Sequence, residues 1–345
     1  MSAGRAAAPR PVGRATRVAL AVNPRAGLGA ERGLAAARAV LDALRPSELI
    51  TNVTDLAGGP ARTLLVGPAV GSRNQTHRVA EEAARRDVDL LVVIGGDGTL
   101  ADAATTLFAQ GSQVPILGVG SGSTNAGALV SCLAARLPEL AVDRLVHAPL
   151  TALRVSYGAG RAALAFNDVV VATTICGTLD GEFTNLDAAS HMRGEKRPGT
   201  PRPVAAPTAR VSKTSGRGEV VIGCGAEVGS VVVGFSNTGG LFGQGLLGGL
   251  GLSAAADVPA GCLVATAPLV VAGFDAERHA AMEPLRSAYA GLSRDETVRL
   301  AGFGAGAILC ADGNPLHALE PQDVAEVSLV PEACRSVRVL GEAAA

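Results

Sequence analysis

The sequence predicts an α/β domain built on a parallel sheet, followed by a β-rich domain. Three observations carry this expectation. Apolar runs of strand length alternate with helical patterns from Arg17 to about Leu145, the order that builds a parallel sheet covered by helices. Three of the strand runs end in glycine-rich turns, at residues 23–29, 95–99 and 118–125. After Pro149 the texture changes to runs of Val, Thr and Ala between glycines, with few helical stretches.

Taken in order, residues 18–22 read as the first strand. The loop Asn23-Pro24-Arg25-Ala26-Gly27-Leu28-Gly29 then opens a helix over 30–44, on which Leu34, Val40, Leu41 and Leu44 share a face. A short strand at 64–66 and a helix at 76–86 come next, followed by a strand at 90–94, a helix at 100–109 and a strand at 116–119. A further helix is predicted over 126–135, ending before Pro138. In the second domain, strands are expected at 152–157, 168–173, 219–223, 230–235, 262–271, 297–300 and 324–329. The domains thus divide into a flexible tail at 1–15, an α/β domain at 16–149 and a β-rich domain at 150–340.

Composition narrows the class. A chain of 345 residues with 48% hydrophobic and 18% charged residues holds enough apolar surface for two cores. A formal charge of −1, 3% aromatic residues and no Trp argue against a nucleic-acid binder, which carries a basic stripe with stacking side chains. The six cysteines are scattered without a C-x-x-C pair, which reads as free thiols in a reducing cytoplasm. The first 15 residues lack the apolar centre of a signal peptide, and the tract 262–274 is broken by Pro268 and too short to span a bilayer, so no membrane anchor is expected.

The most specific motif is Gly95-Gly96-Asp97-Gly98-Thr99, set between a five-residue apolar strand and a helix. Glycines without a Cβ let the backbone bring its N–H groups against an anion, and the positive end of the next helix favours the same charge. Asp97 is the anomaly, because a carboxylate repels phosphate. Its place in the loop points to proton acceptance from a substrate hydroxyl, or to a metal held beside the phosphates. The third turn adds Ser123, Thr124 and Asn125, whose hydroxyls and amide suit phosphate oxygens or a ribose.

Other positions read more plainly. The loop after residue 22 is as well explained by a tight turn as by a ligand loop. Asp102 reads as a helix-surface residue or a partner of the helix dipole, and Asn167 as a turn cap. Asp312-Gly313 is a strong hairpin signal. The five histidines show no metal-ligand spacing, and the basic stretch 193–217 reads as a solvated, mobile loop. Residues 237–251 are read as a backbone-lined ligand loop in preference to close packing.

On these motifs the chain resembles the superfamily that joins NAD kinases and diacylglycerol-type lipid kinases, including its branch of accessory proteins of acetoin catabolism. Gly95-Gly96-Asp97-Gly98-Thr99 is similar to the shared motif of that superfamily, and Asn23-Pro24-Arg25-Ala26-Gly27 resembles its N-terminal Asn-Pro loop. Asn167-Asp168 resembles the Asn-Glu pair of NAD kinases with Asp for Glu, and the stretch from Ala311 to Val324 resembles their late Asp-Gly hairpin. The chain departs from the pattern at Ser236-Asn237-Thr238-Gly239-Gly240-Leu241-Phe242-Gly243, where Thr238 and Gly239 alone fit. In Gly122-Ser123-Thr124-Asn125-Ala126 the Asn is kept and the following Asp of the lipid-kinase branch is lost.

The resemblance implies a Rossmann-like domain, a C-terminal β-sandwich-like domain and an active-site crevice between them. It implies a kinase that uses ATP, with Mg²⁺ or another divalent metal, to phosphorylate the adenosine ribose 2′-hydroxyl of NAD. Asp97 would deprotonate that hydroxyl, while Gly95, Gly96, Gly98 and Thr99 approach phosphates. Asn23, Ser123, Thr124, Asn125, Thr238 and Gly239 would contact nucleotide, and Asn167 and Asp168 the ribose or adenine end. The implied partners are small-molecule nucleotides and further copies of the chain. A lipid or small-alcohol kinase and a nucleotide-binding accessory protein without turnover stand as alternatives.

Overall fold

The computed structural model describes residues 8–24, 29–54, 56, 62–67, 72–121, 127–235, 249–273 and 284–339. The chain forms two compact units, Met1–Thr151 with Pro331–Ala345, and Ala152–Val330.

In the first unit, β1 (Arg10–Pro11) precedes β2 (Arg17–Val22), α1 (Gly29–Leu44), β3 (Glu48–Thr51) and β4 (Arg62–Leu65). Then come α2 (Ser72–Arg86), β5 (Leu90–Gly95), α3 (Asp97–Ala109), β6 (Pro115–Gly120) and β7 (Val130–Leu133). The strands β2 to β6 form a parallel sheet in the order β6-β5-β2-β3-β4. Every residue of β5 is buried, as a central strand covered on both faces must be. Val18, Leu20 and Val22 pack with Ala36, Ala37, Val40 and Leu44 of α1 on one face; of the stripe read from the sequence, Val40 and Leu44 are buried, Leu41 is partly buried and Leu34 lies outside the core.

Two expectations for this unit are corrected. The tail assigned to 1–15 is tied down from residue 10 onward: Arg10 and Pro11 pair with His147 and Val146, the Val12 N–H bonds the Leu145 carbonyl at 2.9 Å, and Ala15 is buried in the core. The helix expected over 126–135 is instead β7 followed by a 3-10 turn, Ala134–Glu139, that contains Pro138. Val119 and Gly120 of β6 pair in parallel with Cys132 and Leu133, so a ladder partner decides a segment whose apolar pattern suits either state.

The chain leaves through β8 (Leu145–Tyr157) and enters the second unit. Its strands are β9 (Arg161–Ala165), β10 (Asp168–Ala172), β11 (Thr174–Leu179), β12 (Glu182–Asp187), β13 (Arg210–Ser215), β14 (Gly218–Cys224), β15 (Ser230–Phe235) and β16 (Ala260–Ala265). They continue as β17 (Ser287–Leu292), β18 (Thr297–Ala301), β19 (Ile308–Ala311), β20 (Asn314–Ala318) and β21 (Val324–Val339). One antiparallel sheet runs β17-β16-β15-β10-β19-β20. A second contains β14-β13-β18-β21. Val169, Val171, Val231, Val233, Cys262 and Leu309 of the first share one core with Val211, Val298, Leu300, Ala325 and Val327 of the second, which is a β-sandwich. The fold is therefore α/β plus β, a Rossmann-like parallel sheet followed by a β-sandwich.

The basic stretch is not a free loop. Arg210–Ser215 is the strand β13, Pro198 bridges Leu186, the Asp187 N–H bonds the Arg197 carbonyl at 2.9 Å, and Arg202 exchanges bonds with Thr173. Paired backbone holds this stretch in place; most of its cations face water, while Lys213 pairs with Glu296 at 2.8 Å. All six cysteines are free, four of them buried, with Cys224 exposed. No described helix is long and apolar enough to cross a membrane.

Candidate active site

The order β6-β5-β2-β3-β4 reverses between β2 and β5, which lie side by side with Val22 opposite Ile94. At such a switch point the loops leaving the two strands part in opposite directions, and a crevice opens beyond the strands' carboxyl ends. Asn23 leaves β2 there, and Gly96 to Thr99 leave β5.

The two loops are fastened to each other. The Asn23 N–H bonds the Ile94 carbonyl at 2.9 Å, and its Nδ2 donates to Thr99 Oγ1 at 2.8 Å. Asn52 holds the end of β2 from the other side, accepting the Val22 N–H at 3.0 Å and donating to the Val22 carbonyl at 2.9 Å. A Cβ on Gly95 would lie 2.6 Å from Thr99 Cβ, so glycine alone lets α3 start this close to β5. Gly96 caps α3 without a side-chain hydrogen bond. An anion at this end meets the positive pole of a helix of 13 residues.

Asp97 is the first residue of α3, half-buried, and its Oδ1 accepts the Gly127 N–H at 3.1 Å. Ser123, Thr124 and Asn125 lie outside the described residues. The residues flanking them are attached to this same loop: the Ser121 N–H bonds the Gly95 carbonyl at 2.9 Å, and Gly127 bonds Asp97. Asp102, expected at a helix surface, is 8% exposed on α3. The reason is that α3 packs against α2 as well as the sheet, so few of its faces meet water.

Asn167 and Asp168 belong to the second unit, where Asp168 opens β10 opposite Gly234. Thr238 and Gly239 lie outside the described residues. The hairpin turn at Asp312-Gly313 joins β19 to β20 with φ of 46° and 76°, the left-handed pair that a type I′ turn requires. Asp312 is nevertheless buried at 8% exposure, and its carboxylate accepts the N–H groups of Phe166, Asn167 and Asp168 at 2.7, 2.8 and 3.1 Å. Sequence reasoning found the turn and missed this role, as it missed Asn52 and Gly127. Among these an Asn shortly after a short strand, as at Asn52, was the one local signal.

Burial, joined by the nearby charge of Asp168, pushes Asp312 up to about 8, against the pull of its three N–H donors. A carboxyl that binds its proton more tightly when folded than in the unfolded chain, where it ionises near pH 4, contributes most below that pH. Its contribution is lost as pH rises toward 8. Asp187 and Asp323 run the other way. The N–H groups of Ser190 and Glu320 hold them below the ordinary carboxylate range, so their contribution is present above that range and lost in acid. Urea midpoints measured from pH 4 to 8 are expected to fall with rising pH in the parent and to fall less in Asp312→Asn. An unchanged slope in the variant would remove Asp312 as the source.

Comparison with known proteins agrees with this fold. The family model for the diacylglycerol kinase catalytic domain matches residues 17–156. A solved diacylglycerol kinase from Bacillus anthracis superposes with a TM-score of 0.50 at 12% identity, covering 94% of this chain and 97% of that one. Yeast NADH kinase, solved with NADH, superposes with a TM-score of 0.52 at 14% identity, covering 96% of this chain and 85% of that one. Residues 17–156 thus match the diacylglycerol kinase catalytic domain family, and the chain has the fold shared by these diacylglycerol and NADH kinase structures. A nearer relative in sequence is an uncharacterised protein of Archaeoglobus fulgidus, 32% identical over 311 residues, which span 87% of this chain and 92% of that protein.

Proposed function

We propose that the chain is an ATP-dependent phosphotransferase of the NAD kinase type, which phosphorylates the adenosine ribose 2′-hydroxyl of NAD to give NADP. The observation that carries this reading is the fastened loop pair at the switch point: Asp97 heads α3, and Asn23 of the neighbouring loop holds Thr99. Phosphoryl transfer needs little covalent work from a protein; alignment and charge neutralisation supply most of the rate. Backbone N–H groups around Gly95, Gly96 and Gly98 suit the donor phosphates, and Asp97 suits the proton of the attacking hydroxyl. Asn167 and Asp168 serve the ribose or adenine end of the acceptor.

Among the described residues no cluster of three or more His, Cys, Asp or Glu could cage a metal ion. A single loop carboxylate such as Asp97 suits Mg²⁺, which is commonly held by one or two carboxylates together with substrate phosphates and water. Asp97 is the residue that would meet it, and the ion would offset the repulsion between that carboxylate and the donor. A second reading, a diacylglycerol-type lipid acceptor, is favoured by the family-model match over 17–156.

The test is an acceptor screen with ATP, Mg²⁺ and labelled phosphate, offering NAD, NADH and diacylglycerol separately. NADP is the expected product. Label in the lipid extract alone would select the second reading, and nucleotide binding without transfer to any acceptor would reduce the chain to a binding protein.

A further inference from the structure

Asp312 sits in a turn that another residue would serve equally well. Asn is as favourable as Asp in a type I′ hairpin, because both tolerate the left-handed backbone. Neither turn chemistry nor solubility explains a carboxylate that is 8% exposed. What it does hold is the backbone leading into β10. Oδ2 accepts the Phe166 N–H, Oδ1 accepts those of Asn167 and Asp168, and the Asp312 N–H returns to the Asp168 carbonyl at 3.0 Å. Three consecutive N–H groups converging on one carboxyl group resemble a backbone nest, here filled by the protein's own side chain.

Strand β15 closes the other side of the same backbone. The Phe235 N–H bonds the Asn167 carbonyl at 3.2 Å, and a Cβ on Gly234 would lie 3.2 Å from that carbonyl and 3.4 Å from Asp168 Cβ. Residues 166–168 are thereby pinned from β15 and from the hairpin turn at once. Of the two clamps, the Asp312 carboxylate is the one made by a side chain, and it touches both residues of the pair.

We propose that Asp312 is a positioning residue, which holds Asn167 and Asp168 in the geometry that meets the bound nucleotide. The assignment rests on the reading of those two residues given above. An Asn in its place keeps the turn but replaces one acceptor oxygen with an NH₂ group, which then faces an N–H as donor against donor. The ordered backbone of 166–168 has to shift, and both side chains shift with it.

The test is a double-mutant comparison on the full chain, with ATP and NAD titrated separately by calorimetry. Asp312→Asn is expected to weaken binding of one of them by about tenfold or more in the parent, and by less than about twofold when Asn167→Ala and Asp168→Ala are already present. Gly313→Ala, which strains the turn and leaves the carboxylate, is expected to lower stability without that coupling. Equal losses in both backgrounds, or none in the parent, overturn the assignment.

Amide hydrogen exchange at Phe166, Asn167 and Asp168 needs no ligand, and faster exchange in Asp312→Asn is expected at all three. Unchanged exchange overturns the assignment even if the chain proves to bind no nucleotide. Failure of phosphoryl transfer with the coupling intact would instead count against the kinase reading alone. Asp312→Glu keeps the carboxyl group and displaces it by one methylene, so it serves where the Asn variant does not fold. Loss of the fold in both variants would show a role in folding only and likewise overturn the proposal.

Discussion

Asp97→Asn is expected to lower turnover by about a hundred- to ten-thousand-fold, the range associated with loss of a general base, while leaving the chain folded. The variant separates two roles that share one side chain. As the first residue of α3, Asp97 also interacts with the helix dipole and accepts the Gly127 N–H. The dipole interaction is worth about 0.3–1 kcal/mol, and an Asn oxygen can still accept the Gly127 bond. A rate loss of the expected size corresponds to about 3–5 kcal/mol in the activation barrier, beyond what a helix-end effect supplies. Steady-state rates set beside urea midpoints decide between them. Turnover within about threefold of the parent, with the same acceptor and metal, would remove Asp97 from the chemistry.

Gly118→Ala is expected to destabilise the first unit by about 3 kcal/mol or more, at the upper end of overpacking effects. A Cβ at this position of β6 would lie 2.1 Å from the Leu129 carbonyl oxygen and 3.2 Å from Leu100 Cδ1. The first neighbour is backbone and cannot rotate away. Moving it breaks the pairing of Gly118 with Val130 and the bond from the Gly118 N–H to Ser131 Oγ at 3.0 Å. It also disturbs the approach to Gly127, the residue that meets Asp97, so activity is expected to fall with stability. Gly67→Ala is the control: a Cβ there meets nothing within 4 Å, and a change within about 0.5 kcal/mol is expected. Equal urea midpoints for the two variants would refute the packing argument.

The parallel sheet was legible because its strands are continuous apolar runs. Residues 90–94 are all apolar, and an Asp between glycines directly after them is not explained by turn chemistry alone. Two polar strands were not legible. Glu182–Asp187 mixes Glu, Phe, Thr, Asn, Leu and Asp, and Arg210–Ser215 lies in a basic stretch; each is a strand because a neighbouring strand pairs with it. Propensity in such segments yields to the partner's ladder. The Asp312 hairpin was readable from two adjacent residues. The partners of its carboxylate lie 144 to 146 positions earlier in the chain, a distance over which no local pattern carries information.

The strand β21 has a consequence for how the protein comes into being. Its first residues pair with β18 in the second unit, whereas Arg335 and Ser336 pair with β6 and Val337 and Val339 complete the core of the first. A ribosome releases β2 to β7 long before that closing segment emerges. The parallel-sheet half therefore waits, with one edge of β6 short of its partner, while the whole sandwich is synthesised. Contacts of such sequence separation slow folding and prolong the exposure of an open sheet edge. For the cell, the half of the molecule made first is the half finished last.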